Sequence, residues 1–349
     1  MLLRENFTED HIRELQRTSH RDPALLERAV YAFGLLEALT KVDMPFIFKG
    51  GTCLMLLMEH PRRLSTDIDI IVAPGTDLNK YLVRASEIFP FKTIEEQKRI
   101  GKNNIEKRHF KFIYDSPINN KPFYILLDVL FEDNHYSELV FKEIRNDLLL
   151  TKPEYLTVSL PSANCILADK LTAFAPHTTG IPLNIGKDME IMKQFYDISS
   201  LLELFTDFQQ IGPTYEKIAQ AEIAYRGTKH SSEDCLWDTY EAALCIASRG
   251  KLIKEEYPVY VKGIHDLRNH IYAEDYTPEI AAGKAAKIMY MVVCLLSDTE
   301  YLHVNNYTDF LDMKIEHEKL ASLRYMRKVN PEAYAYVIKT DRLLAKLQD

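Results

Sequence analysis

Pro45–Phe48 is a short extended apolar run that ends in Lys49-Gly50-Gly51-Thr52, and Asp67-Ile68-Asp69-Ile70-Ile71-Val72 follows sixteen positions after Gly51. No other stretch constrains the fold as much. It predicts extended chain, a turn made by residues without side chains, an apolar helix over Cys53–Met58, and a second extended segment carrying two acids. Paired glycines let the backbone approach a neighbour or a ligand closely. Thr52 is a good N-cap, and the first N–H groups of the helix favour an anion such as a phosphate. In an extended segment side chains alternate between faces, so Asp67 and Asp69 point the same way. Two like charges one pleat apart repel unless a cation lies between them, and hard divalent ions such as Mg²⁺ take oxygen ligands of this kind. Taken separately, each piece has a plainer explanation: a tight strand-to-helix turn, and a solvated strand end.

A third acid is set in Tyr124-Ile-Leu-Leu-Asp128-Val-Leu-Phe131, one carboxylate among seven apolar residues. Buried without a partner, it would be strongly destabilising. An Arg or a backbone N–H would satisfy it, and so would a metal shared with Asp67 and Asp69. Three carboxylates on adjacent strands can hold two metal ions roughly 3.5–4 Å apart, which stabilises both the entering and the leaving oxygen in phosphoryl or nucleotidyl transfer.

Helical spacing dominates 9–42, where Pro23 opens the second helix, and returns at 79–89. Arg108–Tyr114 and Pro122–Phe131 read as strands around a turn at Ser116–Asn120. From about 160 onward the pattern is helical, most clearly at Cys165–Phe174, Met189–Phe205, Glu233–Ala247, Pro278–Leu296 and Pro331–Leu347. The expectation is therefore an α+β chain, with an α/β domain over 1–155 and a helical domain over 156–349. Hydrophobic residues at 46% and charged residues at 27% exclude a disordered or fibrous chain. The formal charge of −8 argues against non-specific nucleic-acid binding through a broad basic surface. A local basic strip remains in Lys92–Lys111, with seven Lys or Arg against three Glu. Five Cys without a CxxC pair read as reduced thiols. The charged N-terminal stretch has no signal-peptide core, and the longest apolar run, Ile288–Leu296, is far shorter than the roughly 20 residues that span a bilayer. A cytoplasmic protein with no membrane partner is expected.

The order strand, Gly-Gly-Thr, helix, Arg63-x-Ser65-x-Asp67-Ile-Asp69, strand, Asp128 resembles the DNA polymerase β-type nucleotidyltransferase superfamily. More narrowly, the sequence is similar to the AbiEii/AbiGii family, the nucleotidyltransferase toxins of abortive-infection toxin–antitoxin systems. The resemblance spans about residues 40–205, plus the helical tail, and includes counterparts of two helical motifs of that family. Ala168-Asp169-Lys170-Leu-Thr-Ala-Phe174 matches the helix that carries a Lys, and Lys193-Gln194-Phe195-Tyr196-Asp197-Ile198 matches a basic residue followed by Tyr-Asp. Family members often carry Arg-Asp where this chain has Lys193-Gln194. The segment His177–Glu190 between the motifs is long, and Asp188 competes with Asp197 as the partner of Lys170; the Tyr-Asp context favours Asp197.

The resemblance implies a polymerase-β-like catalytic domain with a mixed sheet and a helical C-terminal domain. It also implies NTP phosphates on Gly50, Gly51 and Thr52, and Mg²⁺ or Mn²⁺ on Asp67 and Asp69. Asp128 binds metal or deprotonates the acceptor hydroxyl. Lys170 steadies the phosphates, and Asp197 holds Lys170 or orients the acceptor. Lys49, Arg63 and Ser65 contact phosphate or brace the loop. The implied partners are an NTP, an RNA acceptor such as a tRNA 3′ end, and a cognate antitoxin. Two rivals share the same residues: transfer to a protein hydroxyl or a small molecule, and a non-catalytic nucleotide-binding module.

Overall fold

Pro122–Phe131 alternates between two environments. Ile125, Leu127 and Val129 are at most 1% exposed, whereas Tyr124, Leu126 and Asp128 lie on a half-buried face. Each such buried side chain contributes about 1.5–3 kcal/mol, which pins the strand's register. This strand is central to the first of two units seen in a computed structural model that describes residues 1–58, 60–97 and 106–348. The units are Met1–Ser162 with Asn269–Glu274, and Ala163–Arg268 with Asp275–Asp349.

The first unit opens with α1 (Glu9–Ser19) and α2 (Pro23–Lys41). Asp22 caps α2 by accepting from Leu25 N–H at 3.0 Å, and Pro23 stands in its first turn. Then come β1 (Ile47–Lys49), α3 (Gly50–Leu57), β2 (Ile68–Val72), α4 (Asn79–Ser86), β3 (Thr93–Gln97), β4 (Lys107–Asp115) and β5 (Pro122–Phe131). The five strands form a mixed sheet in the order β1-β2-β5-β4-β3, in which β2 and β5 run parallel and every other pair antiparallel. Glu27 of α2 is buried and accepts from Tyr114 and Ser116 at 2.8 Å each, a fully partnered carboxylate under the sheet. β6 (Leu139–Glu143) and β7 (Thr157–Pro161) form a separate antiparallel ribbon. Because β7 pairs with β6, the division between units falls at 162/163, and the segment 269–274 also returns to the first unit.

Of the basic segment, Lys98, Arg99 and Lys102 lie outside the described residues. Lys92 pairs with Asp115, Arg108 binds Glu96 at 2.8 Å and 3.0 Å, and Lys111 Nζ lies 4.4 Å from the Tyr124 ring centre. These three cations already have partners within the unit.

The second unit is helical: α5 (Ala163–Ala173), α6 (Asp188–Leu201), α7 (Ile211–Arg226), α8 (Ser232–Ala247), α9 (Tyr257–Leu267), α10 (Pro278–Leu296), α11 (Met326–Val329) and α12 (Pro331–Gln348). Ser231 and Asp234 form a capping box at α8, and Thr277 caps α10. The connection from α5 to α6 is tied down at His177. Its Nδ1 lies 2.8 Å from Asp238 and its Nε2 3.0 Å from Glu256. Burial alone would lower the His177 pKa, but the two carboxylates outweigh it and raise it. All five cysteines are buried and free. Among the described residues, no helix is long and apolar enough to cross a membrane. The α+β class with a mixed sheet and a predominantly helical C-terminal part holds.

Candidate active site

The sheet register sets four polar residues in one line. Lys49 of β1 pairs with Asp69 of β2, Asp69 with Asp128 of β5, and Asp128 with His109 of β4. Residues directly opposite one another share a face. Asp69 and Asp128, which are 59 positions apart in the chain, are therefore immediate neighbours on the half-buried face. His109 Nδ1 lies 2.6 Å from Asp128 Oδ1.

Asp67 does not lie in the strand as the sequence pattern predicts. β2 starts at Ile68, and Asp67 occupies the residue just before it. Its carbonyl accepts from the Thr52 hydroxyl at 2.6 Å, and its Oδ1 lies 3.5 Å from Arg28 Nη2 of α2. Thr52 also departs from expectation. The helix already begins at Gly50, so Thr52 is in its first turn, buried, and its hydroxyl ties α3 to the approach to β2. What this turn offers an anion is backbone N–H groups, not the Thr52 side chain.

Each glycine makes room for a particular neighbour. Gly50 has φ +81°, and a Cβ there would run into the Asp69 carboxylate. A Cβ on Gly51 would stand 2.6 Å from Ser65 Oγ and 2.7 Å from Arg63 Nη2. The helix start, the DxD acid, Arg63 and Ser65 therefore converge. Arg63 is 6% exposed, and its loop is held from far along the chain: Leu64 N–H donates to the His270 carbonyl and Tyr272 N–H to the Arg62 carbonyl, both at 2.7 Å. Lys49 Nζ lies 5.9 Å from the Tyr136 ring centre.

Carboxylate oxygens are the ligands a hard divalent cation takes, and the backbone N–H groups near them suit the anionic phosphates that accompany it. Among the described residues, no three His, Cys, Asp or Glu side chains converge as a ready cage. Mg²⁺ does not need one, because it is usually held by one or two carboxylates together with water and substrate phosphates. The cross-strand neighbours Asp69 and Asp128 meet that requirement.

In the second unit, Lys170 of α5 and Asp197 of α6 form an ion pair at 3.0 Å, with side chains 10% and 2% exposed. Gln194 Oε1 accepts from Lys170 Nζ at 2.8 Å. Asp188 instead binds Lys262, at 2.5 Å.

The sequence pattern described as the nucleotidyl transferase AbiEii toxin of type IV toxin–antitoxin systems matches residues 35–284. The chain belongs to the AbiEii nucleotidyltransferase toxin family. Among solved structures it is similar to JHP933 from Helicobacter pylori, with 14% identity over 77% of this chain and 92% of that chain and a TM-score of 0.44. It is also similar to an antigenic nucleotidyltransferase-like protein from Paracoccidioides brasiliensis, with 15% identity over 58% of this chain and 89% of that chain and a TM-score of 0.37. No curated protein matches the chain.

Three contacts of this AbiEii family member escape a reading of its sequence. Arg28 sits in the helical run 9–42, whose spacing reports only a core-facing stripe. His109 falls inside a segment read as basic, and only the β4–β5 register reveals its neighbour. Gln194 is a neutral residue three positions before Asp197, and only the packing of α5 on α6 shows that it contacts Lys170.

Proposed function

We propose that this nucleotidyltransferase moves a nucleotide from an NTP to the 3′ hydroxyl of an RNA, a tRNA end being the acceptor, in a cytoplasmic abortive-infection system restrained by a cognate antitoxin. The observation that carries this reading is the direct pairing of Asp69 with Asp128, with Gly50 packed against Asp69.

In this reading Asp67, Asp69 and Asp128 hold Mg²⁺ or Mn²⁺. When bound, the cation supplies charge neutralisation and Lewis-acid polarisation at the phosphates. The N–H groups at Gly50, Gly51 and Thr52 cradle the triphosphate. Arg63 and Ser65 brace that turn, and Lys49 adds positive charge beside it. The acceptor hydroxyl attacks the α-phosphorus, its proton leaves to solvent, a new phosphodiester bond forms, and the bond to pyrophosphate breaks. Lys170 is read as a phosphate-directed cation and Asp197 as the residue that positions it, the roles the family motifs imply. The first unit, Met1–Ser162 with Asn269–Glu274, carries the catalytic acids, and the helical second unit carries Lys170 and Asp197.

The test is expression in a bacterium with and without the adjacent gene, followed by sequencing of tRNA 3′ ends. Added nucleotides that vanish in an Asp67→Ala/Asp69→Ala variant are expected. Growth arrest with unaltered RNA ends, and with a nucleotide found on a protein instead, would replace RNA as the acceptor. Arrest that persists in the double variant would overturn the catalytic reading.

A further inference from the structure

Asp128 has a carboxylate on one side and an imidazole on the other. Asp69 pairs with it across β2, and His109 pairs with it across β4. Like charges in register repel, so an ionised Asp128 beside Asp69 would turn away unless something held it. His109 is placed to do this. Phe110 and Phe112 are 3% and 0% exposed on the opposite face of β4, which fixes the strand's alternation and sends His109 to the acid face. The His109 side chain is less exposed than that of Asp128, 15% against 35%. His109 Nδ1 lies within hydrogen-bond distance of Asp128 Oδ1, at 2.6 Å.

We infer that His109 is a positioning residue: its Nδ1–H donates to Asp128 Oδ1, holds that carboxylate in the row beside Asp69, and presents Oδ2 to the cation. This rests on the reading of Asp128 as a cation ligand. Outer partners of this kind orient a metal-binding side chain without touching the metal, and losing one weakens metal affinity about 10–100-fold. A structural hydrogen bond would stabilise the sheet and leave cation affinity alone.

The experiment measures Mn²⁺ binding to the full-length protein without nucleotide, by electron paramagnetic resonance, alongside the melting temperature of each variant. His109→Ala should weaken Mn²⁺ binding about tenfold or more. His109→Asn should restore most of it, because the Asn amide nitrogen reaches where Nδ1 stands. His109→Gln, which reaches the Nε2 position, should not. Asp128→Ala is the reference for loss of the ligand itself. The inference is overturned if Asp128→Ala weakens binding while His109→Ala leaves it unchanged. It is equally overturned if Asn and Gln behave alike. If Asp128→Ala leaves Mn²⁺ binding intact, the cation-site reading itself falls, and the role of His109 falls with it.

Discussion

Replacing Asp69 with the isosteric Asn should lower nucleotidyl transfer roughly a thousandfold or more, a loss of several kcal/mol of transition-state stabilisation. The substitution keeps the volume that packs against Gly50 and removes one negative charge from the cross-strand pair with Asp128. Circular dichroism and melting temperature should stay close to those of the unsubstituted protein, while labelled NTP is no longer incorporated. A variant that folds and retains activity would mean that the row Lys49, Asp69, Asp128, His109 is a structural feature of the sheet and not its chemistry.

Asp197→Ala should destabilise the protein by about 3–5 kcal/mol, the usual result of leaving one member of a buried ion pair alone. Both side chains are nearly enclosed, and Gln194, the other partner of Lys170, is neutral. Denaturant unfolding measures the loss. The double variant Lys170→Met/Asp197→Leu should recover much of that stability, because it removes both charges and keeps apolar volume. On the role proposed for Lys170 it should remain inactive. Recovery of activity together with stability would reduce the pair to a structural role.

The parts of this protein that its sequence announces are those with strong local signatures. The turn at Gly50-Gly51 is visible because glycine is needed where φ is +81° and where Asp69 and Arg63 press against the backbone. β5 is visible because its buried face is an unbroken apolar alternation. Elements without a buried stripe were hidden. β3 reads Thr-Ile-Glu-Glu-Gln, a charged edge strand with one apolar side chain, and β6 leaves Phe141 75% exposed. α7 begins Ile-Gly-Pro, which reads as a break although proline is tolerated in a first turn. In the site, the acids could be named from spacing, but their partners could not. The contacts Arg28–Asp67 and His109–Asp128 join residues 39 and 19 positions apart and depend on helix docking and strand register. The same holds for the segment 269–274, whose backbone braces the Arg63 loop.

The most direct measurement follows the phosphorus. Purified protein is incubated with Mg²⁺, total tRNA and, in parallel, NTPs labelled at the α- or the γ-phosphate. An α-label that enters the RNA while the γ-label leaves as pyrophosphate is the result this account predicts. A γ-label appearing on any acceptor, or no transfer of either label with the antitoxin excluded, would contradict it.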